Sequence, residues 1–170
     1  MTSTVRLMHY APAWRQEFQQ TRSGILQSCA GNVVQVEHIG STAIPGLIAR
    51  PVIDMVALVS SLELLDAAAE RLEGLYFRRV TSPSWCRDSV MMHKPRHGEL
   101  THRLILSTAD DVAVTRVLAV RDHLRREPAK AVEFEQAKIR RWKDQSGELE
   151  AYERDKAVFF AHLEEQLGLT

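Results

Sequence analysis

The chain has 170 residues, 45% of them apolar and 26% charged, with 22 basic residues balanced by 22 acidic ones. This is enough apolar material for one domain with a real core, and it excludes a disordered chain. Neutral net charge speaks against a general nucleic-acid coat, and the short apolar runs speak against a membrane-spanning helix.

Val5 to Tyr10 reads as a short lead-in strand or an extended arm without the apolar stretch of a secretion signal. Pro12 suits the first position of a helix that carries Trp14, Phe18, Ile25 and Leu26 at helical spacing, with Gly31-Asn32 as its stop. Val33 to Ile39 is rich in β-branched residues and reads as a strand. Gly40 to Pro51 contains Gly40, Pro45, Gly46 and Pro51, which predicts a loop or a very short helix. Val52 to Val59 is the most strand-like run and is expected at the centre of a sheet. Ser60 and Ser61 offer N-caps to a helix reaching Glu73, with Gly74 closing it.

Strands are expected at Tyr76–Val80, Ser89–His93 and Thr101–Leu106, joined through Pro83 and through the Pro95–Gly98 stretch. From Ala109 the pattern is helical, and Pro128 and Gly147 divide it into helices near 109–126, 129–143 and 148–167. Strands followed by helices predict an α+β fold: a small mixed sheet, an N-terminal helix and a C-terminal helical bundle in one domain, with a core near 1–107 and a helical part near 108–170. Cys29 and Cys86 have no metal-type spacing and read as lone thiols of a reducing cytoplasm.

Charge is uneven along the chain. Leu75 to Ile105 holds six basic residues against two acidic ones, with His93, His97 and His102 among them. That stretch is either a solvated hairpin or a wall that faces phosphate. The densest candidate chemistry lies earlier. Gly40 lets backbone approach a ligand, and the Ser41 and Thr42 hydroxyls can bond an anionic oxygen, although the tripeptide is equally at home in a tight turn. Asp54 is a lone carboxylate in an apolar strand, which requires a cation, either a metal or an arginine such as Arg50. Glu37 and His38 alternate on the preceding strand, so one faces the cleft side and the other faces away; the sequence leaves open which.

The block Glu37-His38-Ile39-Gly40-Ser41-Thr42-Ala43-Ile44-Pro45-Gly46-Leu47 through Arg50-Pro51-Val52-Ile53-Asp54 resembles the signature of the GrpB-like family. Arg121-Asp122-His123-Leu124-Arg125, then Pro128, Ala131, Lys138, Tyr152 and Lys156, resembles that family's helical block, so the likeness spans nearly the whole chain. The family is similar to the nucleotidyltransferase superfamily, and the resemblance implies a sheet of that type. It also implies a nucleoside triphosphate or other phosphorylated small molecule as partner, with Mg²⁺ as cofactor; the charge and hydropathy above lead to the expectation of neither membrane nor nucleic acid as partner. In the superfamily two carboxylates two residues apart hold the metals. Here Asp54 stands at the second position and Val52 replaces the first, so Glu37 is the expected second metal ligand and catalytic partner of Asp54.

Gly40, Ser41, Thr42, Arg50, His102, Arg103, Lys138, Tyr152 and Lys156 are the expected substrate- and phosphate-binding residues. Arg103 and Ile105 stand where the family carries histidines, which favours phosphate over a His-rich metal site. Two functions follow as expectations: nucleotidyl transfer to an acceptor, or a non-catalytic nucleotide- or phosphometabolite-binding module that assists a coenzyme A enzyme or a folding partner.

Overall fold

The computed structural model describes residues 6–82, 88–144 and Gly168. One five-stranded sheet organises them, built from β1 (Val33–Ile39), β2 (Ile53–Val59), β3 (Arg78–Val80), β4 (Val90–Arg96) and β5 (Glu99–Thr108) in the order β1-β2-β5-β4-β3. β2 runs parallel to β5 and every other neighbouring pair is antiparallel, so the sheet is mixed. β2 sits inside the sheet and is covered on both faces, which explains its nearly unbroken apolar run.

Helices α1 (Pro12–Ser28) and α2 (Leu65–Glu73) pack on one face. Trp14, Phe18 and Ile25 of α1 and Leu72 of α2 join Met55, Ala57, Leu104 and Leu106 of the sheet in the main core. The opposite face carries a smaller cluster of Ile39, Val56, Leu58 and Ile105 against Val114 of α3 (Val112–Arg126). α4 (Pro128–Asp144) packs Ala131 and Phe134 with Val120 and Leu124 of α3 against Ile44 and Leu47 of the Gly40–Pro51 loop. The loop is thereby gripped from the helical side, and Ile48 N–H also donates to the Glu135 carboxylate at 3.2 Å. No helix among the described residues is long and apolar enough to cross a membrane.

Several boundaries depart from the sequence reading for local reasons. The third strand starts at Arg78 rather than Tyr76, because Tyr76 takes a left-handed φ of 70° that no strand accommodates. β4 continues through Pro95 to Arg96. A register irregularity between Lys94 and Pro95 absorbs the missing N–H, and His97-Gly98, both at positive φ, close a two-residue hairpin. Ser61 provides no side-chain cap. The chain instead enters α2 through a 3₁₀ turn at Leu62–Leu64. The next helix begins at Val112 rather than Ala109, because the Asp111 carboxylate accepts from the Ala113 N–H and sets the cap there. The N-terminal arm contributes one bridge, Met8 to Ala49. The expected helix near 148–167 lies outside the described residues.

Candidate functional site

β1 ends at Ile39. Gly40 then turns the chain at φ 73° into a 3₁₀ turn over Ser41–Ala43. This turn and Asp54 meet in space. Ile39 pairs with Asp54 across the antiparallel ladder, and a Cβ built on Gly40 would lie 2.7 Å from Asp54 Oδ2. Only a residue without a side chain fits beside that carboxylate. The sequence expected the bend and the acid to converge, and the register of β1 on β2 brings them together.

The register continues across the sheet. Asp54 pairs with Arg103 on β5, Arg103 with His93 on β4, and His93 with Arg78 on β3. Residues paired in this way share a face. One transverse row therefore reads Asp54, Arg103, His93, Arg78, on the same face as α3. The next row carries Val56 and Ile105, which lie under α3. Arg103 Nε donates to Asp54 Oδ1 at 2.5 Å, and both side chains are largely buried. His93 lies among Arg103, Asp54 and Arg50. Burial lowers its pKa first, Arg103 and Arg50 lower it further, and Asp54 opposes them, so the ring is held neutral. Its buried Nε2 has no hydrogen-bond partner among the described residues.

Glu37 occupies the Asp54 face one row toward the strand start, opposite Val56. Arg121 Nη1 of α3 donates to Glu37 Oε2 at 2.6 Å and to the His38 carbonyl at 3.1 Å, which covers part of the outer edge of β1. Burial alone would raise the Glu37 pKa, but hydrogen bonds from Arg121 and Gln35 outweigh it and hold the group below its ordinary value.

His38 points to the α1 face, so the alternation left open by the sequence resolves with Glu37 on the Asp54 side. The His38 ring stacks on Phe18 with centroids 4.6 Å apart. The Thr42 hydroxyl donates to the Val52 carbonyl at 3.2 Å and accepts from His38 Nε2 at 2.9 Å. Burial holds the His38 pKa down to about 4, with Arg125 and Arg121 assisting and Asp54 opposing.

The expected residues are therefore only partly assembled. Gly40, Asp54 and Arg103 come together, and Arg50 is near enough to act on His93. Thr42 was expected to hold phosphate, but it is 2% exposed and its hydroxyl is spent on Val52 and His38. Ser41 is buried in the same turn. His102 was expected to bind substrate or phosphate beside Arg103. It pairs with Ile53 instead and faces the α1 side, because it is one residue out of phase with Arg103. There it bonds Thr101 and Thr21 at 2.8 and 3.2 Å, 1% exposed, with its pKa held down to about 4 by burial and then by Lys94 and Arg96. The neutral ring makes its 3.5 Å approach to Glu17 a polar contact rather than an ion pair. Lys138 lies on α4, while Tyr152 and Lys156 lie outside the described residues.

Mg²⁺ requires several oxygen ligands in near-octahedral order. Asp54 Oδ1 is engaged by Arg103, the Glu37 oxygens by Arg121 and Gln35, and no cluster of three metal-ligating side chains exists among the described residues. In this arrangement the two carboxylates are matched by guanidinium groups, which does not suit a divalent ion. Sequence reasoning passed over His93 as a site residue; its only signal was its place in the basic stretch, and the pairing with Arg103 that gives it meaning is a property of the hairpin register.

Comparison with known proteins places this geometry in a lineage. The family described as GrpB protein matches residues 4–166. The UPF0157 protein BH1888 of Halalkalibacterium halodurans is 30% identical over 124 residues, covering 72% of this chain and 62% of that protein. The chain spans about three fifths of the length of the curated relatives first matched. The crystal structure of conserved protein GrpB from Enterococcus faecalis superposes with a TM-score of 0.83 at 26% identity, covering 95% of this chain and 96% of that one. At the level of fold alone, the Cid1 poly(U) polymerase bound to Mg 3′-dATP superposes with a TM-score of 0.54 at 10% identity, covering 86% of this chain and 49% of that one. The α+β fold is of nucleotidyltransferase type.

Proposed function

The chain belongs to the GrpB family, and from that premise we propose that it binds the phosphate of a nucleotide or similar phosphorylated small molecule at the Asp54–Arg103–His93 row, using arginine where a nucleotidyltransferase uses metal. The observation that carries this reading is the in-register row itself: Arg103 and Arg78 on one sheet face, a His93 Nε2 between them with no hydrogen-bond partner among the described residues, and Gly40 packed closely against Asp54. Arg50 adds a third guanidinium acting on the same row. Guanidinium groups bind phosphate oxygens through paired donors and remain charged at any physiological pH. Asp54 holds the Arg103 fork in orientation until a phosphate competes for it.

Among the described residues the Asp54 and Glu37 carboxylates are both matched by guanidinium groups, which favours a binding module over a transferase in this reading. Calorimetric titration tests it, with ATP and dephospho-coenzyme A as probes, in EDTA and then in Mg²⁺. Binding in EDTA, weakened roughly tenfold or more by Arg103→Gln, supports the reading. Arg103→Lys keeps the charge but not the fork and is expected to fall between. The absence of heat with either probe under both conditions refutes it. Binding only with Mg²⁺, together with pyrophosphate release, favours nucleotidyl transfer instead.

A further inference from the structure

A second opening lies off the sheet face, at the outer edge of β1. A cavity of about 390 Å³ sits between α1, the 3₁₀ turn and α3. Tyr10 and Arg15 line one side, the stacked Phe18–His38 pair forms the wall, and Arg121 and Arg125 enter from α3. The two α3 arginines are not equivalent. Arg121 is saturated by Glu37, Asp122 and the His38 carbonyl. Arg125 donates its Nε to the Ala43 carbonyl at 2.9 Å, and no carboxylate lies within ion-pair distance of it among the described residues. The same holds for Arg15. Burial, and the like charges of Arg121 and Arg15, press the Arg125 pKa down against the opposing pull of Asp122 and Glu37. The carboxylate in the wall, Glu37, is already matched by Arg121.

Arg125 is exposed at the mouth of this cavity, with its Nε anchored on the turn and its charge not matched by a carboxylate among the described residues. A second exposed cation on α1 and an aromatic lining from Tyr10, Phe18 and His38 complete the complement of a charged organic molecule. We infer that this cavity is a binding site for a small organic oxyanion, a carboxylate or phosphate monoester, held by Arg125 and Arg15 with its carbon frame against Tyr10 and the Phe18–His38 pair. It is distinct from the Asp54–Arg103 row, and it does not depend on the reading of that row.

Amide-resolved NMR titration of the whole chain separates the two. The probes are benzoate and phenyl phosphate, which present one ring with two different anions, and benzyl alcohol, which presents a similar ring with none. Saturable shifts of the Tyr10, Arg15, His38 and Ala43 amides with both anions are expected, whereas shifts of Asp54, His93 and Arg103 report the other site. Arg125→Gln is expected to weaken the first set roughly tenfold, and Arg15→Gln severalfold. Arg15 is exposed on α1, so its variant keeps the test valid if Arg125→Gln fails to fold. Tighter benzoate assigns a carboxylate ligand, and tighter phenyl phosphate assigns a phosphate ester. Unmoved amides up to about 20 mM of both anions, equal response to benzyl alcohol, or unchanged affinity in the Arg15→Gln variant overturns the inference.

Discussion

Gly40 and Asp54 are in backbone-to-side-chain contact: a methyl group on Gly40 would stand 2.7 Å from Asp54 Oδ2, on a residue whose φ of 73° already disfavours any side chain. The glycine is thus fixed twice, by conformation and by the carboxylate beside it. Its position ties the end of β1 to the start of β2, and so ties the bend to the charged row.

Gly40→Ala is expected to lower unfolding stability by about 2 kcal/mol, combining left-handed backbone strain with the clash. Placing it in an Asp54→Ser background removes the 2.7 Å contact with Oδ2 but leaves the strain. A urea double-mutant cycle is therefore expected to show coupling of roughly 1 kcal/mol. Strict additivity would mean that the two residues do not touch.

The Arg121–Glu37 pair presents a different case. Arg121 is 10% exposed at its side chain and also satisfies the His38 carbonyl on the edge strand. Arg121→Met leaves Glu37 facing a half-buried site without its main cation, and is expected to cost about 2–3 kcal/mol. Adding Glu37→Gln removes the stranded charge and is expected to recover about half of that loss, read from unfolding midpoints. No recovery would show that the packing of Arg121, rather than its charge, matters.

Acid sensitivity follows from the two histidines held down to about 4, His38 and His102. Both are neutral when folded and protonate near pH 6.5 when unfolded, so the unfolded chain binds more protons between those values. Stability is full above pH 6.5 and falls as pH drops toward about 4, with an upper bound of about 3.5 kcal/mol for each ring. His93 contributes with the same sign. Urea unfolding at pH 7, 6 and 5 measures the slope, and His102→Gln is expected to flatten it because Gln does not titrate in that range. A stability flat from pH 7 to pH 5 in the parent chain would contradict the burial of both rings.

How much of this was legible beforehand depends on whether the signal was local. The Val33–Ile39 strand is set by β-branched residues and the Pro12 helix by its proline, so both were readable with their starts at the right residue. The Gly40 bend and Asp54 were readable as chemistry because each is out of place in its surroundings. Which strand neighbours which was not. His102 and Arg103 look interchangeable in sequence, yet one residue of register sends them to opposite faces. The partners of the two carboxylates, Arg103 and Arg121, come from 49 and 84 residues away, and no spacing rule in the chain announces them. Thr42 misled for the converse reason: a hydroxyl suited to phosphate also suits the Val52 carbonyl, and the fold put that carbonyl within reach.

The central claim is that Arg103, rather than a metal on Asp54, recognises the ligand's phosphate. The most direct measurement is the ATP affinity of Asp54→Asn in EDTA. If Asp54 only competes with the ligand for Arg103, neutralising it leaves the fork in place and frees its charge, and binding is expected to tighten severalfold. If Asp54 is a metal ligand, the parent chain binds ATP only with Mg²⁺ and Asp54→Asn loses that binding; this result would contradict the account.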